Sequence, residues 1–275
     1  MAVFSMNLSE LMSSLPQEDS LWQSSLAWQP TAVQWSSFEQ LYQFVLAGNR
    51  RLNLTRITEP LDFLEKHLWD SLAGIFLFDP LVSLSAAQGT TQTIDIGTGG
   101  GFPGLPTAIV FPQWSITLLD STQKKIAWLQ EIVPQLFPGQ TLDQTLDQTM
   151  GQSRGQIIPM VGRAESLGQD PQHRAHYDLA LIRAVADARV CAEYALPLIK
   201  KGGYAVLYRG QWTTAETEQL EPVVAKLGGT LAEVKTVQTP WSHSQRTFIY
   251  LQKIRSTPAP YPRAIGIPQK TPLAF

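Results

Sequence analysis

An α/β fold with a largely parallel sheet is predicted for this 275-residue chain by three observations. From residue 92 onward, short apolar runs alternate with segments of helical character, the pattern typical of a parallel sheet covered by helices. The first apolar run leads directly into a turn rich in glycine. The stretch before it shows helical periodicity and no strand-like alternation.

Residues 1–90 are predicted to form a helical region packed on the sheet domain. One helix is indicated by apolar residues at helical spacing ahead of a glycine that can end it: Val33, Phe38, Leu41, Phe44, Val45 and Gly48. A second helix is predicted over residues 59–78.

Residues 91–253 are predicted to form the sheet domain. Its candidate strands are TIDIG, ITLLD, IIPMV, YDLALIRA, YAVLYRG and TFIYLQK. Helices are expected in KKIAWLQEIVPQL, RVCAEYALPLIKK and TAETEQLEPVVAKLG. The polar repeat at residues 141–156 is expected to be a surface loop. The basic tail, residues 254–275, has five prolines in its last 20 residues and is expected to be extended or disordered.

Composition excludes several classes of protein. Charged residues make up 16% and hydrophobic residues 44% of the chain, so global disorder is excluded. The single cysteine, Cys191, rules out a disulfide framework and a cysteine-built zinc site, and it favours a reducing compartment. No apolar run approaches the roughly 20 residues that span a bilayer, and the N-terminus lacks the pattern of a signal peptide. We therefore expect a cytoplasmic protein without a membrane partner.

Charge is unevenly distributed along the chain. The net charge of −2 argues against a protein that coats nucleic acid non-specifically. Residues 1–47 hold four acids and no Lys or Arg, whereas residues 246–275 hold five bases and no acid. This asymmetry allows a local basic surface, but a solvated tail without a partner accounts for it equally well.

The glycine-rich turn, Gly97 to Gly104, is the most informative segment for function. Glycines allow a sharp turn and a close approach of a ligand to the main chain. The turn fits the G-x-G-x-x-G pattern of dinucleotide sites, and with Asp95 before Gly97 it also fits the S-adenosylmethionine form, in which the acid can meet the methionine ammonium. Asp120 ends the next strand, where an acid accepts hydrogen bonds from ribose hydroxyls in either kind of site.

Together with motifs before and after it, this turn resembles the bacterial small-subunit ribosomal RNA guanine-N7 methyltransferases, also known as glucose-inhibited division protein B. The resemblance covers roughly residues 33–253. It is carried by ordered motifs: Asn53-Leu-Thr, His67-Leu-Trp-Asp70-Ser71, Asp95-Ile-Gly-Thr-Gly-Gly-Gly-Phe-Pro-Gly, Leu118-Leu-Asp-Ser121 with Lys124-Lys125, Gly162-Arg-Ala-Glu165, Ile182-Arg-Ala184, Gly203-Tyr-Ala, Arg209-Gly210 and Arg246.

The resemblance implies a class I methyltransferase sheet, Rossmann-like and seven-stranded, with an N-terminal helical extension. It also implies S-adenosylmethionine as donor and guanine N7 in 16S ribosomal RNA, free or in the 30S particle, as acceptor. The cofactor contacts carried over are Gly97, Phe102, Ala164, Glu165 and Arg183, and the general geometry of the fold adds Gly99, Asp120 and Ser121.

The expected chemistry needs no catalytic side chain, because guanine N7 has a lone pair and carries no proton. Holding N7 in line with the methyl–sulfur bond supplies the catalysis. The sequence also lacks any metal-binding or nucleophile constellation that we recognise. His67 and Asp70, three residues apart on one predicted helix, can share a face of it; we favour a structural role for this pair over positioning of the target base or the cofactor loop.

RNA contact is expected from one groove formed by Arg50, Arg51, Arg56, Arg209 and Arg246. The alternative for the first three is that they are ordinary solvated side chains. Two other functions stay open: a methyltransferase acting on a non-RNA acceptor, and a catalytically silent RNA-binding factor for ribosome assembly. No oligomer is predicted.

Overall fold

A seven-stranded sheet forms the centre of the computed structural model, which describes residues 14–86, 90–138 and 155–274. The strand order is β3-β2-β1-β4-β5-β7-β6, with β7 antiparallel to both of its neighbours and the other pairs parallel. The strands are β1 Gln92–Ile96, β2 Ser115–Asp120, β3 Ile157–Val161, β4 Tyr177–Arg183, β5 Ile199–Arg209, β6 Gly229–Gln238 and β7 Gln245–Lys253. This order confirms the predicted class I methyltransferase sheet.

In the described part of the chain, five helices precede the sheet and pack on one of its faces. They are α1 Asp19–Leu26, α2 Ala32–Asn49, α3 Pro60–Phe63, α4 Asp70–Phe76 and α5 Asp79–Ala86. A π-helical turn, Leu64–Trp69, joins α3 to α4, so the helix predicted over residues 59–78 is continuous but not regular. A capping box at Thr31 and Gln34 fixes the start of α2, because each side chain pairs with the other residue's backbone N–H.

The remaining helices cover the two faces of the sheet. They are α6 Gly104–Val110, α7 Gln123–Leu136, α8 Ala164–Gln169, α9 Ala188–Ala195, α10 Thr214–Lys226 and α11 Ile267–Lys270. Alternate residues of each central strand enter two different apolar cores. In β4, for example, Leu179 and Leu181 pack with the N-terminal helices, whereas Ala180 and Ile182 pack with α9 and α10. Burial on both faces explains the continuously apolar strands.

Two details of the sheet differ from the sequence prediction. Strand β6 was not among the predicted runs because it lies at an edge and alternates between half-buried and exposed residues. The segment predicted as one helix from Arg189 to Lys201 instead ends as a helix at Ala195, and β5 begins at Ile199. Pro197 stands between them, and proline cannot continue a helix past its first turn.

The basic tail is neither free nor simply extended through residue 274, which corrects the sequence expectation. Gln169 Nε2 donates to the Pro262 carbonyl at 2.7 Å, and Arg263 forms a salt bridge with Glu193 at 2.7 Å. Proline content correctly indicated that no long helix forms there. Proline content gave no information on docking, because Gln169 and Glu193 lie 93 and 70 residues before the tail residues that they contact.

Two sequence expectations fall mostly outside the described residues. These are the surface loop at residues 141–156, of which only 155 and 156 are described, and the first 13 residues of the predicted helical region, residues 1–90. Across the described ranges, no helix is both long enough and apolar enough to cross a membrane.

The contact between Arg263 and Glu193 predicts a measurable loss of stability. The Glu193 carboxylate is fully buried and accepts from the guanidinium through both oxygens, so Arg263→Ala leaves a buried charge without its cation. We expect the free energy of unfolding to fall by about 2–4 kcal/mol, measured by urea denaturation. Lys270→Ala, an exposed change in the same tail, is the control and should leave the midpoint within experimental error.

Candidate functional site

The glycine loop, residues 97–104, links β1 to α6 at the carboxyl edge of the sheet. Gly97, Gly99 and Gly101 have φ values of +74°, +57° and +90°, a backbone region that favours glycine. A Cβ atom on Gly97 would lie 2.5 Å from Val185 Cγ2, so the loop packs directly against the segment after β4. The N–H groups of Gly97 and Thr98 donate to the Leu119 carbonyl at 2.8 and 2.9 Å, which fixes the loop to β2.

Asp120, at the end of β2, joins the glycine loop to the start of the following helix. Its Oδ2 accepts from the Gly99 N–H at 2.9 Å, and its Oδ1 accepts from the Thr122 N–H at 2.7 Å. The carboxylate is therefore held in one orientation by two backbone donors. Each oxygen keeps a lone pair for a ligand hydroxyl.

Next to Asp120 lies the edge cavity, with a volume of about 330 Å³, at the point where the strand order reverses between β1 and β4. Such switch points are where open α/β sheets bind ligands. Six predicted cofactor residues line it: Gly97, Gly99, Asp120, Ser121, Ala164 and Glu165.

Several lining residues were not predicted as site residues. Lys125 and Arg163 stand within motifs on which the family resemblance rests, so their positions were available from the sequence. Gln269 lies in the tail, and nothing in the local sequence signals its arrival at the cavity.

Phe102 and Arg183, also predicted as cofactor contacts, are not among the residues that line the edge cavity. Phe102 is buried and stacks on the His67 ring with 4.2 Å between centroids. Arg183 donates to Asp70 Oδ2 at 3.0 Å and to the Lys66 carbonyl at 2.7 Å. Both side chains connect the carboxyl edge of the sheet to the π-helical turn. Phe102 does so through the His67 ring, and Arg183 through the Lys66 carbonyl and His67.

His67 is held as a neutral imidazole. Its Nδ1 lies 3.1 Å from Arg183 Nη2, and because a guanidinium can only donate, Nδ1 must accept. The proton is then on Nε2, which lies 2.8 Å from Thr55 Oγ1. Burial, with the nearby Arg183 charge as a second cause, lowers the pKa of His67 well below its ordinary value. The role of His67 is thus to connect the Asn53-Leu-Thr segment to β4.

Asp70 pairs with two arginines from different strands. Its Oδ2 faces Arg183 at the end of β4, and its Oδ1 accepts from Arg246 Nε at 3.1 Å at the start of β7. The carboxylate is buried and so are most atoms of both partners. Within the described residues, His67 and Asp70 make these bonds across to the sheet, and no bond joins the two to each other.

The five arginines expected to face one RNA groove do not do so. Arg209 pairs in register with Thr247, so Arg209 and Arg246 point to opposite faces of the sheet. Arg209 Nη2 lies 3.2 Å from Cys191 Sγ on α9, which belongs to the apolar core on the other face of the sheet. A prediction from strand position alone missed this, because one residue of register reverses the face.

Arg50, Arg51 and Arg56 are all exposed and lie together in the arginine segment, residues 50–56. Arg51 forms an ion pair with Glu131 at 3.6 Å. The same segment touches the glycine loop, since a Cβ atom on Gly100 would lie 3.5 Å from Leu54 Cβ. This contact places the basic surface beside the loop.

Asp95 is fully buried beneath the glycine loop and does not line the edge cavity. Its Oδ2 accepts from Thr98 Oγ1 at 2.6 Å and from the Gly104 N–H at 2.8 Å, whereas its Oδ1 has no partner among the described residues. Burial raises the pKa of Asp95 from 3.8 to about 6, although both hydrogen bonds oppose the shift.

The polar groups around the edge cavity fit S-adenosylmethionine. Asp120 offers acceptors for two ribose hydroxyls, and Gly97 and Gly99 leave the main chain open to a ligand. The unpartnered Asp95 Oδ1 lies directly behind the loop and is complementary to a nearby ammonium. Among the described residues, no group of three or more His, Cys, Asp or Glu side chains is arranged to hold a metal ion.

The raised pKa of Asp95 predicts a specific pH dependence of stability. Because the folded state binds the Asp95 proton more tightly than the unfolded state, this group reduces stability as the pH rises from 4 to 7. Asp95→Asn removes the effect, so the unfolding free energy of the variant relative to wild type should rise by about 2–3 kcal/mol over this range. Urea denaturation of both proteins at several pH values measures this difference in unfolding free energy. A flat difference between Asp95→Asn and wild type across this range would contradict the assignment.

The sequence matches one protein family over most of its length. The profile of GidB, described as rRNA small subunit methyltransferase G, matches residues 34–248. Curated relatives named ribosomal RNA small subunit methyltransferase G include one from Nostoc punctiforme, 50% identical over 259 residues, which cover 94% of this chain and 98% of the relative. Another, from Synechococcus elongatus, is 50% identical over 252 residues, which cover 92% and 95%.

Solved structures match the chain at much lower similarity. The 16S rRNA N2 G1207 methyltransferase of Thermus thermophilus, solved with AdoMet and guanosine, is 15% identical with a TM-score of 0.38, covering 61% of this chain and 36% of its own. Family membership therefore rests on the profile and on the relatives at half identity. The profile covers both the glycine loop and the His67 and Asp70 motif that supports it, and the chain belongs to the rRNA small subunit methyltransferase G (GidB) family.

Proposed function

We propose that the protein transfers a methyl group from S-adenosylmethionine to N7 of a guanine in small-subunit ribosomal RNA, free or in the 30S particle. It acts as a monomer in the cytoplasm. The observation that supports this best is the contact of Leu54 with the glycine loop, because it sets an exposed basic segment beside a cavity suited to the donor.

The donor is held by backbone and carboxylate groups. Asp120 receives the two ribose hydroxyls, and the glycine loop lies against the methionine part, with Ser121, Ala164 and Glu165 forming the opposite wall. Asp95, mostly ionised above pH 6, provides negative charge close to the donor's ammonium. Phe102 and Arg183 act indirectly, by fixing the shape of the loop.

The reaction requires alignment rather than acid–base chemistry. The N7 lone pair attacks the methyl carbon, the carbon–sulfur bond breaks, and the bonding electrons stay on sulfur. The sulfonium becomes neutral and the guanine gains a positive charge, so no proton is moved. The protein's task is to hold both reactants at near-attack distance and to exclude water.

RNA contact is assigned to the arginine segment and to Arg246. Phosphate contacts of this kind set register and affinity without reading sequence. Arg246 donates through Nε to Asp70 and through Nη1 to the Gln245 carbonyl at 3.2 Å. Because Asp70 offsets its charge, Arg246 ranks below Arg56 as a phosphate contact. Arg209 lies on the other face of the sheet and is removed from this surface.

Methyl transfer to unmodified 30S particles tests the function directly. With labelled S-adenosylmethionine, we expect incorporation at one guanine, mapped by strand cleavage specific for N7-methylguanine. The control is Gly104→Ala, whose added Cβ would lie 2.3 Å from Leu118 Cδ2 and 2.8 Å from Asp95 Oδ2, and which should lose most donor binding. Donor binding without transfer to RNA would indicate a different acceptor. Absence of donor binding by calorimetry would favour a silent assembly factor.

Arg56→Ala tests the RNA surface. Removing one phosphate contact should weaken RNA binding severalfold and lower the salt slope, log Kd against log salt, by about 1. The matched control is Lys201→Ala, an exposed base near the amino end of β5, at the sheet edge opposite the glycine loop. Filter binding at several salt concentrations measures both variants. Equal slopes for Arg56→Ala and wild type would remove Arg56 from the RNA surface.

A further inference from the structure

The tail crosses from the end of β7 to the wall of the edge cavity. The Gly266 N–H donates to Glu165 Oε1 at 3.0 Å, and Tyr194 donates to the same oxygen at 3.1 Å. Three residues after Gly266, Gln269 lines the cavity. One wall therefore combines α8, α9 and a segment from the far end of the chain.

This tail is anchored by α9 and by the loop between α8 and β4. The Arg174 guanidinium donates to the carbonyls of Tyr261 at 2.7 Å and Thr257 at 2.9 Å. Arg263 adds its salt bridge to the buried Glu193 of α9. The position of Gln269 is thus set by several charged contacts, although its own side chain is exposed.

The order of groups along the cavity indicates which part of the donor meets the tail. The glycine loop follows β1, Asp120 follows β2, and Arg163 to Glu165 follow β3, in spatial order along the edge. In S-adenosylmethionine the ribose lies between the methionine and the adenine. With the ribose at Asp120 and the methionine at the glycine loop, the adenine extends toward Glu165 and the tail.

Of the described residues that line the cavity, Gln269 alone carries a side-chain amide. An amide offers a donor and an acceptor side by side, which matches the adenine edge, where the N6 amino group donates and a ring nitrogen accepts. Lys125 and Arg163 only donate, and the Glu165 carboxylate only accepts.

We infer that Gln269 is a specificity-determining residue that recognises the adenine base of the donor, and that the docked tail forms the adenine wall of the site. The inference rests on the proposed donor. It assigns the tail a role in binding that its proline-rich sequence does not indicate.

The test compares two product analogues that differ only in the base. S-adenosylhomocysteine carries the N6 amino group, whereas its purine-riboside analogue carries hydrogen at that position and keeps the ring nitrogen N1 as acceptor. Calorimetry with the full-length protein, without RNA, gives four dissociation constants for wild type and Gln269→Ala. We expect Gln269→Ala to weaken S-adenosylhomocysteine binding about five- to tenfold and to weaken the purine-riboside analogue less, so that discrimination between the bases shrinks.

Two control variants accompany the test, and its outcomes separate failure of base recognition from failure of the proposed function. Lys270→Ala, next in α11 and absent from the cavity lining, should leave both constants unchanged. Gln269→Glu, which keeps the acceptor and loses the amide donor, should fall between wild type and Gln269→Ala. Equal weakening of both analogues by Gln269→Ala, or no weakening, would overturn base recognition while leaving the proposed function intact. Failure of wild type to bind S-adenosylhomocysteine would overturn both.

Discussion

The ion pair between Asp70 and Arg183 joins the N-terminal helices to the carboxyl edge of the sheet, and the local geometry of the site depends on it. Arg183 also reaches the Lys66 carbonyl and His67, and His67 reaches Thr55 and stacks on Phe102. Breaking a buried pair of this kind costs about 3–5 kcal/mol, because the remaining charge loses its partner in a poorly solvated place. The pair therefore fixes the arginine segment and the glycine loop relative to each other.

Two carboxylates from neighbouring strands hold the glycine loop in place. Asp95 holds the turn, since both of its hydrogen bonds go to loop residues, and burial raises its pKa. Asp120 faces the cavity and is oriented by backbone donors on both sides. A turn built from glycines has little intrinsic rigidity, so these bonds supply the order that a ligand site needs.

The features that sequence predicted well are local ones. The strand, the glycines and Asp120 lie within about one βαβ unit, where neighbouring residues determine the turn and the end of each strand. The misplacements involve partners distant in sequence. Arg183 lies 113 residues from Asp70, and Arg209 was assigned to the wrong face because register is set by pairing with β7. The docking of the tail depends on Gln169, Arg174 and Glu193, which no pattern near residues 254–275 reveals.

The π-helical turn at Leu64–Trp69 has a consequence for how this region tolerates insertions and deletions. The turn accommodates one more residue than a regular α-helix would, so α3 and α4 differ in phase by about one residue, or about 100°. Deleting one residue would restore regular helical hydrogen bonding but would rotate Asp70 away from both Arg183 and Arg246 unless the rest of the helix turned with it. The length of the segment is thus fixed by the two arginines that Asp70 must meet.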